Sequence, residues 1–339
     1  MAKKLSAGSQ KTPNSKLDRP KSVAVGVVGL GLMGRSIITC LLAAGHRVVG
    51  VTRNLSQRRD TRRRILALLR EMNHERLFSG DPRAVMEELQ LSEDFPALSG
   101  CGLVLESTLE DFAVKHAVIR NVEAVVSPEA LIGSNTSALP VTELQRGAQH
   151  PERIMGIHWG EPAHINLFME VICGDQTNPA CAERVMRLAR HWKKEPTLVR
   201  CDVQGFISNR IFYAMLREAF HLVENGCATP ADVDRACRND YGYWITFAGL
   251  FRFMDLTGIP AYAAVIRDLF PDLDCSKEVP KLMREVVESC AQGVANARGF
   301  YKYTPAEARR WEKRFRKFSY EIRALAQKYR EYPAAKSPK

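Results

Sequence analysis

Short apolar runs alternate with amphipathic stretches along residues 22–201. In residues 22–54, an apolar run, a glycine-rich turn, an amphipathic stretch and a second apolar run follow one another. This order is typical of a strand, a helix and a second, parallel strand. Further apolar runs within residues 101–111 and 129–140 end in polar side chains. We therefore predict an α/β domain with a parallel sheet over residues 22–201.

The second part of the chain has a helical pattern without intervening strands. Its first apolar stripe ends at Gly226, and glycine is a common helix stop. Thr229 and Pro230 then have the residue types of an N-cap and a first helical position. We therefore predict an all-α domain over residues 202–330, followed by a tail at 331–339.

The last predicted helix carries an apolar stripe of its own. Thr304 and Pro305 mark its start, and large apolar side chains then repeat at three- and four-residue steps. The members of this stripe are Trp311, Phe315, Phe318, Ile322, Leu325 and Tyr329. Such a stripe must be covered, so we expect it to pack on its own domain or on a second subunit.

Two apolar runs in residues 153–174 each contain an ionisable residue. His158 follows Ile154, Met155 and Ile157, and Glu170 follows another apolar triplet. A glutamate is rarely buried without a partner. Each group either has its own local hydrogen bond in the core, or the two groups serve each other.

Size and composition exclude several classes of protein. The chain has 339 residues with 45% apolar content, which is enough for about two soluble domains. It has no apolar run of the roughly 20 residues that span a bilayer, and its start lacks the apolar part of a secretory signal. We expect no membrane association and a cytoplasmic location. The nine cysteines form no C-x-x-C pair, so we expect reduced thiols and no metal.

The net charge of +11 is concentrated at the two ends. Residues 1–21 hold six basic residues and one acidic residue, and residues 309–339 hold eleven and three. The body between them has 32 basic and 34 acidic residues. Since no aromatic-basic motif accompanies the charged ends, we predict no nucleic-acid partner and a disordered basic tail over residues 1–21.

The glycine turn GLGLMG has the spacing of a dinucleotide site. Gly29 permits a tight turn, Gly31 lets the backbone approach a pyrophosphate, and Gly34 lets the helix pack on the strand. Leu32 and Met33 open the helix, whose N-terminus favours the phosphate charge. The motif follows a strand and precedes a helix, which predicts a Rossmann domain.

The end of the second strand departs from the usual NAD pattern. An acidic residue commonly binds the adenosine ribose there, but this chain has Thr52 and Arg53. Arg53 either pairs with a 2′-phosphate or points to solvent or stacks on adenine. We therefore expect NAD or NADP, with NADP slightly favoured.

An arginine-rich helix follows at residues 56–72. Its apolar face contains Ile65 and Leu69, and its other face is mostly arginine. This second face is either solvated or binds a phosphate-bearing substrate handle such as coenzyme A. The candidate arginines for coenzyme A are Arg58, Arg59, Arg62 and Arg63.

Six motifs in one order resemble those of the 3-hydroxyacyl-CoA dehydrogenase family. The resemblance covers residues 23 to 303. The motifs are the glycine turn at 29–34, ESTLEDFAVK at 106–115, SNTSALP at 134–140, the His158/Glu170 pair, DVQGFISNR at 202–210 and GFYKY at 299–303. The order makes the resemblance specific.

The resemblance implies roles for particular residues. His158 matches the general base that takes the hydroxyl proton, and Glu170 matches the carboxylate that orients it. Ser137 and Asn209 match residues that hydrogen-bond the substrate oxygen. Glu110 and Lys115 match positions near the nicotinamide ribose.

Three positions depart from the family pattern. Glu161 stands where the family usually has asparagine, which adds a negative charge near the site. Gln204 stands where proline is common, and Ala297 stands where glycine is usual. We expect Glu161 to alter substrate choice, and Gln204 and Ala297 to alter the contacts near the domain junction and the usual end of the fold.

The resemblance implies an NAD(P)-dependent oxidoreductase that interconverts 3-hydroxyacyl-CoA and 3-oxoacyl-CoA in fatty acid metabolism. It also implies a homodimer formed through helical domains. One alternative is a dehydrogenase of free 3-hydroxy acids, because some relatives in the wider family act on carnitine or sugar acids. A less favoured alternative is a scaffold that binds nucleotide without catalysis.

Overall fold

The computed structural model describes residues 20–329. These residues form two compact units, which divide between Phe206 and Ile207. Almost all of the predicted basic tail at residues 1–21, and all of the predicted tail at 331–339, lie outside the described residues.

The first unit contains an eight-stranded sheet. Its strands are β1 (Val25–Val28), β2 (Val48–Val51), β3 (Leu89–Ser92), β4 (Leu103–Glu106), β5 (Leu131–Ser134), β6 (Ile154–Trp159), β7 (Phe168–Ile172) and β8 (Glu195–Val199). Their spatial order is β3-β2-β1-β4-β5-β6-β7-β8. All neighbours are parallel except β6 and β7, which are antiparallel. The chain changes direction across the sheet between β1 and β4, and ligands of such sheets bind at this switch point.

Helices cover both faces of this sheet. They are α1 (Leu32–Ala43), α2 (Arg58–His74), α3 (Pro82–Val85), α4 (Phe112–Glu123), α5 (Val141–Gln145) and α6 (Pro179–His191). Successive strand residues point to opposite faces, so Leu103 and Leu105 enter one apolar cluster and Val104 enters the other. Because both faces of the six inner strands are buried, these strands are nearly continuous apolar runs, whereas the edge strands β3 and β8 also carry exposed positions. The predicted Rossmann-type α/β domain is confirmed.

The second unit is helical. Its helices are α7 (Ser208–Glu224), α8 (Pro230–Asn239), α9 (Tyr241–Thr257), α10 (Ile259–Leu269), α11 (Lys281–Glu288) and α12 (Pro305–Lys328). Thr229 caps α8 and Thr304 caps α12, each in a reciprocal pair of hydrogen bonds with the acidic residue three positions later. The helix starts predicted at these two threonines are confirmed.

The apolar stripe of α12 is only partly covered by its own unit, where the Tyr329 ring contacts Phe247 of α9 with centroids 6.2 Å apart. Trp311, Phe315 and Phe318 are each more than half exposed in the single chain. The buried side chains of α12 are instead Ala308 and Tyr320, together with Arg323. The expectation that the stripe packs on its own domain is therefore wrong for most of its residues in the single chain, and cover by a second subunit stays a prediction.

Within residues 20–329, no helix is both long enough and apolar enough to cross a membrane.

Candidate active site

The glycine turn has two crowded positions and one open position. Gly29 has a φ of +95°, and a Cβ atom there would lie 2.4 Å from the carbonyl oxygen of Ser107. A Cβ atom at Gly34 would lie 1.9 Å from the carbonyl oxygen of Gly29. At Gly31, by contrast, a Cβ atom would meet nothing within 4 Å. The crowding explains two of the glycines, and the space beside Gly31 fits a pyrophosphate.

Helix α1 begins at this open position. Gly31 is its N-cap and provides no side-chain hydrogen bond to the first turn. The first residue, Leu32, is exposed, whereas Met33 packs partly against the core. The N–H groups and dipole of the first turn therefore point toward the place where a dinucleotide phosphate would bind.

The polar residues after β2 lie at the carboxyl edge of the sheet. The Thr52 N–H donates to the carbonyl oxygen of Ser92 at 3.1 Å, which fixes the start of this segment. Thr52 is half-buried and Arg53 is exposed. The position therefore holds a hydroxyl and a guanidinium in place of a carboxylate.

A buried carboxylate ends β4. Glu106 accepts hydrogen bonds from Lys115 Nζ at 2.9 Å and 3.0 Å, and from Ser134 Oγ at 2.5 Å. Thr108 donates both its N–H and its hydroxyl to Glu106 Oε1, each at 2.6 Å. The Lys115 side chain is completely buried. This network joins the ends of β4 and β5 to the start of α4.

Glu110 extends the network toward the surface. Lys115 Nζ lies 3.3 Å from Glu110 Oε2, while Glu110 Oε1 accepts hydrogen bonds from Thr136 Oγ1, Ser137 N–H and Ala138 N–H at 2.6–3.1 Å. Burial raises the pKa of Glu110, but these hydrogen bonds and the Lys115 charge outweigh it and hold the pKa below its ordinary value. Glu110 is therefore a carboxylate that holds the segment with Ser137.

The same segment is tied to the strand that carries the histidine. Asn135 Oδ1 accepts a hydrogen bond from the Trp159 N–H at 3.0 Å. Trp159 follows His158 in β6. The structure thus brings the predicted residues Glu110, Lys115 and Ser137 to the same sheet edge as His158.

His158 and Glu170 are partners of each other. They lie directly opposite in the antiparallel pair of β6 and β7. Nδ1 of His158 lies 3.0 Å from Oε2 of Glu170, and the two side chains are 10% and 1% exposed. Since an ionised carboxylate only accepts, we assign the proton to Nδ1, which makes Nε2 the basic nitrogen. The two ionisable groups of residues 153–174 therefore bind each other, rather than each having a separate local hydrogen bond.

Asn209 lies in the second unit. It is the second residue of α7 and therefore belongs to the first turn of that helix.

The arginines of α2 have different partners. Arg62 donates to the carbonyl oxygens of Leu89 and Met86 at 3.0 Å and 3.1 Å. Arg63 pairs with Asp60, which also accepts a hydrogen bond from Arg64 Nε at 2.6 Å. Arg58 and Arg59 are exposed. The four predicted coenzyme A arginines are therefore not equivalent, because Arg62 has a structural task.

Sequence reasoning did not assign a role to Glu106 or Ser134. The signal was present for Glu106, because it is an acidic residue at the end of an apolar strand, as Glu170 is within one. The partners of Glu106 come from three elements, so their convergence follows only from the fold.

Two sequence profiles of one enzyme family match the chain. A profile described as 3-hydroxyacyl-CoA dehydrogenase, NAD binding domain, matches residues 24–203. A second, described as 3-hydroxyacyl-CoA dehydrogenase, C-terminal domain, matches residues 205–303. The chain belongs to the 3-hydroxyacyl-CoA dehydrogenase family. It is an oxidoreductase of that type with an NAD-binding domain, as the order of its motifs predicts.

Relatives in this family differ in the substrates for which they are named. A 5-formyl-3-hydroxy-2-methylpyridine 4-carboxylate 5-dehydrogenase from Mesorhizobium japonicum is 31% identical over 84% of this chain and 92% of its own length. A crystal structure of a 5-dehydrogenase for the same acid, described as an NAD+-dependent dismutase, has a TM-score of 0.84 at 28% identity and covers 90% of this chain and 98% of that chain. A crystal structure of (S)-3-hydroxybutyryl-CoA dehydrogenase from Ralstonia eutropha has a TM-score of 0.69 at 26% identity, with coverage of 83% and 99%.

Proposed function

We propose that this protein interconverts a secondary hydroxyl group and a ketone with a nicotinamide cofactor, and that His158 is the general base. The buried His158–Glu170 pair, with 3.0 Å between Nδ1 and Oε2, carries this proposal. An imidazole with a carboxylate on one nitrogen keeps the other nitrogen available to exchange a proton with substrate. The 3-hydroxyl of an acyl group is the reacting alcohol that the family implies.

In the direction of oxidation, Nε2 of His158 takes the proton of the substrate hydroxyl. Glu170 stabilises the imidazolium that results, through a charge-assisted hydrogen bond from Nδ1. NAD, when held at the glycine turn, would accept the hydride from the carbon that carries this hydroxyl group. Ser137 and Asn209 are proposed to hydrogen-bond the substrate oxygen, and Glu110 with Lys115 is proposed to border the nicotinamide ribose.

Replacing His158 with Ala tests the reaction. We expect kcat to fall by about 10²–10⁴-fold, which is the usual contribution of a general base. The Kd of NADH, measured by fluorescence titration, should change little because the histidine acts on the substrate proton. His150→Ala is a matched control, since His150 is 41% exposed and lies 3.4 Å from Glu152 in a surface pair. Near-normal turnover by His158→Ala would contradict the proposal.

The first candidate substrate is a 3-hydroxyacyl-CoA. Family membership favours it, and the exposed Arg58 and Arg59 are suitable for phosphate groups.

The second candidate is a free hydroxy acid without coenzyme A. Two observations favour it. Arg62 donates to main-chain carbonyls of its own unit, which removes one proposed phosphate ligand. The crystal structure of the pyridine-carboxylate enzyme has a TM-score of 0.84 with this chain, against 0.69 for that of the 3-hydroxybutyryl-CoA dehydrogenase from Ralstonia eutropha. Turnover of the same hydroxy acid, free and as its coenzyme A ester, separates the two candidates. Turnover of the ester that 3′-phosphoadenosine phosphates inhibit supports the first, and turnover of the free acid alone supports the second.

We propose that the cofactor site accepts NADP(H) as well as NAD(H). An exposed guanidinium at Arg53 is compatible with a 2′-phosphate, and no carboxylate follows β2 to repel it. Arg53→Ala should then weaken NADP(H) binding by about 1–3 kcal/mol while NAD(H) binding serves as the internal control. A wild-type enzyme that uses only NAD(H) would contradict this proposal.

We propose that the second unit forms a homodimer. Several large side chains there are well exposed in the single chain, among them Tyr213, Tyr243, Phe251 and Phe315. Large exposed apolar surface of this kind is typical of a protein interface. Sedimentation equilibrium should give twice the mass of one chain, 38.1 kDa. A monomer at micromolar concentration would contradict the proposal.

A further inference from the structure

Phe206 combines complete burial with an unfavourable backbone. Its side chain is 0% exposed, and its φ is +56°, in the left-handed region. This conformation is unfavourable for a residue with a side chain. The preceding Gly205 also has a positive φ, +79°, which is ordinary for glycine. A strain held at a fully buried residue is a reason to look for what the residue contacts.

Two anchors hold Phe206 in this conformation. Asp202 accepts hydrogen bonds from the N–H groups of Val141 and Thr142 at 3.0 Å and 2.6 Å, at the start of α5. The Phe206 N–H then donates to the carbonyl oxygen of Val203 at 2.9 Å, which closes the turn. The segment is therefore fixed at its start by a carboxylate and at its end by a tight backbone turn.

The Phe206 ring packs on the imidazole of His158. The two ring centroids are 5.6 Å apart with an angle of 59° between the planes. A second ring, Phe168, lies 5.3 Å from the imidazole centroid at 86°, an edge-to-face contact. Phe168 precedes Glu170 by two residues in β7, so both side chains are on the same face of the strand. The imidazole thus has one hydrogen bond to Glu170 and two aromatic neighbours.

We propose that Phe206 and Phe168 are positioning residues that fix the orientation of the His158 imidazole. This inference rests on the proposed role of His158 as the base. A single hydrogen bond through Nδ1 restrains the ring at one point only, and each aromatic contact further favours one rotamer. Small misplacements of a reacting group cost large factors in rate. The unfavourable backbone at Phe206 is therefore kept because it holds Nε2 of His158 in the orientation that proton transfer needs.

Three variants and one control separate positioning from packing. Phe206→Leu keeps apolar volume but removes the ring, Phe206→Tyr keeps the ring, and Phe168→Leu removes the second ring without touching the strained turn. Val199→Ala is the matched control, because Val199 lies in the same small apolar cluster as Phe206. Activity, NADH binding and melting temperature are measured for all four proteins.

The proposal predicts a loss confined to the chemical step. We expect about tenfold to hundredfold lower kcat for Phe206→Leu, a smaller loss for Phe168→Leu, and kcat within threefold of wild type for Phe206→Tyr. KM and Kd for the dinucleotide should change by less than twofold. Val199→Ala should lose melting temperature and keep kcat.

A double-mutant cycle with Glu170→Gln supplies a second readout. If both residues act through His158, the kcat losses of Phe206→Leu and Glu170→Gln should combine to less than their product. Fully multiplicative losses, or a Phe206→Leu enzyme with the kinetics of Val199→Ala, would overturn the proposal. If Phe206→Leu does not fold, unchanged kcat in Phe168→Leu overturns it instead. His158→Ala is measured in parallel. If that enzyme is active, the proposed base is refuted, and this outcome differs from a failure of the positioning proposal alone.

Discussion

Replacing Glu170 with Gln keeps the size of the side chain and removes its charge. The amide can still accept from Nδ1 of His158, but it no longer stabilises an imidazolium. We expect kcat to fall by about 10²-fold or more with the melting temperature nearly unchanged. Glu152→Gln is the control, because that carboxylate lies on the surface beside His150. If both variants retain full activity, the buried pair serves the fold alone.

Ala297 offers a residue-scale test of backbone strain. Its φ is +58°, at a position where the family usually has glycine. Ala297→Gly relieves the left-handed alanine but raises the entropy of the unfolded chain, so we expect a net gain of about 0.5–1 kcal/mol in unfolding free energy. Ala295→Gly, at a position without positive φ, should instead lose about 0.4–1 kcal/mol. Urea unfolding of both variants gives the comparison, and a loss in both would contradict the strain argument.

The role of a residue could be predicted from the sequence where its immediate neighbours indicate that role. The turn at Gly29 and the acid at Glu170 both stand out against their apolar neighbours in the sequence. The tasks of Phe206 and Arg62 were not predictable. Each depends on a group far away along the chain, the His158 ring in one case and the Leu89 carbonyl in the other. A sequence pattern records which side chains are present and not which of them meet.

The Lys115 network tests how β4, β5 and α4 are held together. Lys115→Met leaves the buried Glu106 carboxylate without its counter-charge, so we expect a loss of about 3–5 kcal/mol in unfolding free energy. The control is Lys281→Met, which removes one partner of an exposed pair with Glu285 on α11 and should cost less than about 1 kcal/mol. Chemical denaturation of both proteins measures the difference. Similar small losses would mean that the buried pair is replaceable.

Helix α2 combines a structural and a candidate binding function. If the substrate carries coenzyme A, the double variant Arg58→Ala/Arg59→Ala should raise KM for the coenzyme A ester and not for a pantetheine ester, with an effect that shrinks at high salt. Arg62→Ala should instead lower the melting temperature, because the carbonyl groups of Met86 and Leu89 lose their donor. Equal KM changes for both esters would show that the exposed arginines do not bind the coenzyme A phosphates.

For helices and strands, the sequence predicted which kind of element forms, but it predicted less well what each element packs against. The threonine caps of α8 and α12 follow from side chains within four residues of each other, so they were predictable. The exposure of the α12 stripe was not, because amphipathic spacing predicts a face that needs cover without saying what supplies it.

A pH-dependent stability is expected for the whole first unit. The His46 ring donates from Nδ1 to the carbonyl oxygen of Val23 at 2.9 Å, and its Nε2 accepts from Trp192 Nε1 at 2.8 Å. Burial lowers the pKa of His46 in the folded protein. The unfolded chain therefore binds a proton at a higher pH than the folded chain does. Unfolding free energy should fall as the pH drops below about 6.5, by at most about 1.4 kcal/mol per pH unit for this group.

Thermal unfolding between neutral and mildly acidic pH checks this prediction. His46→Asn should reduce the decrease in melting temperature with falling pH, because it removes the group that titrates. His74→Asn, at an exposed position on α2, should leave the decrease as it is in the wild type. A wild-type melting temperature that is constant over this pH range would contradict the argument.

For the whole molecule, the class of fold was predictable because periodicity and motif order act over long stretches of chain. The single antiparallel junction between β6 and β7 was not predicted, since an apolar run does not record its direction. That junction is what places His158 opposite Glu170.

The position of this pair on two neighbouring strands has an evolutionary consequence. His158 and Glu170 are held opposite each other by strand register, while the eight residues between β6 and β7, 160–167, form the connection. Exchanges in that connection, such as the glutamate at position 161, change loop side chains without changing the strand register that holds the pair. If the pair is the proposed base and its carboxylate, divergence toward substrates of different shape and charge can proceed one loop residue at a time, with the geometry of the pair inherited unchanged.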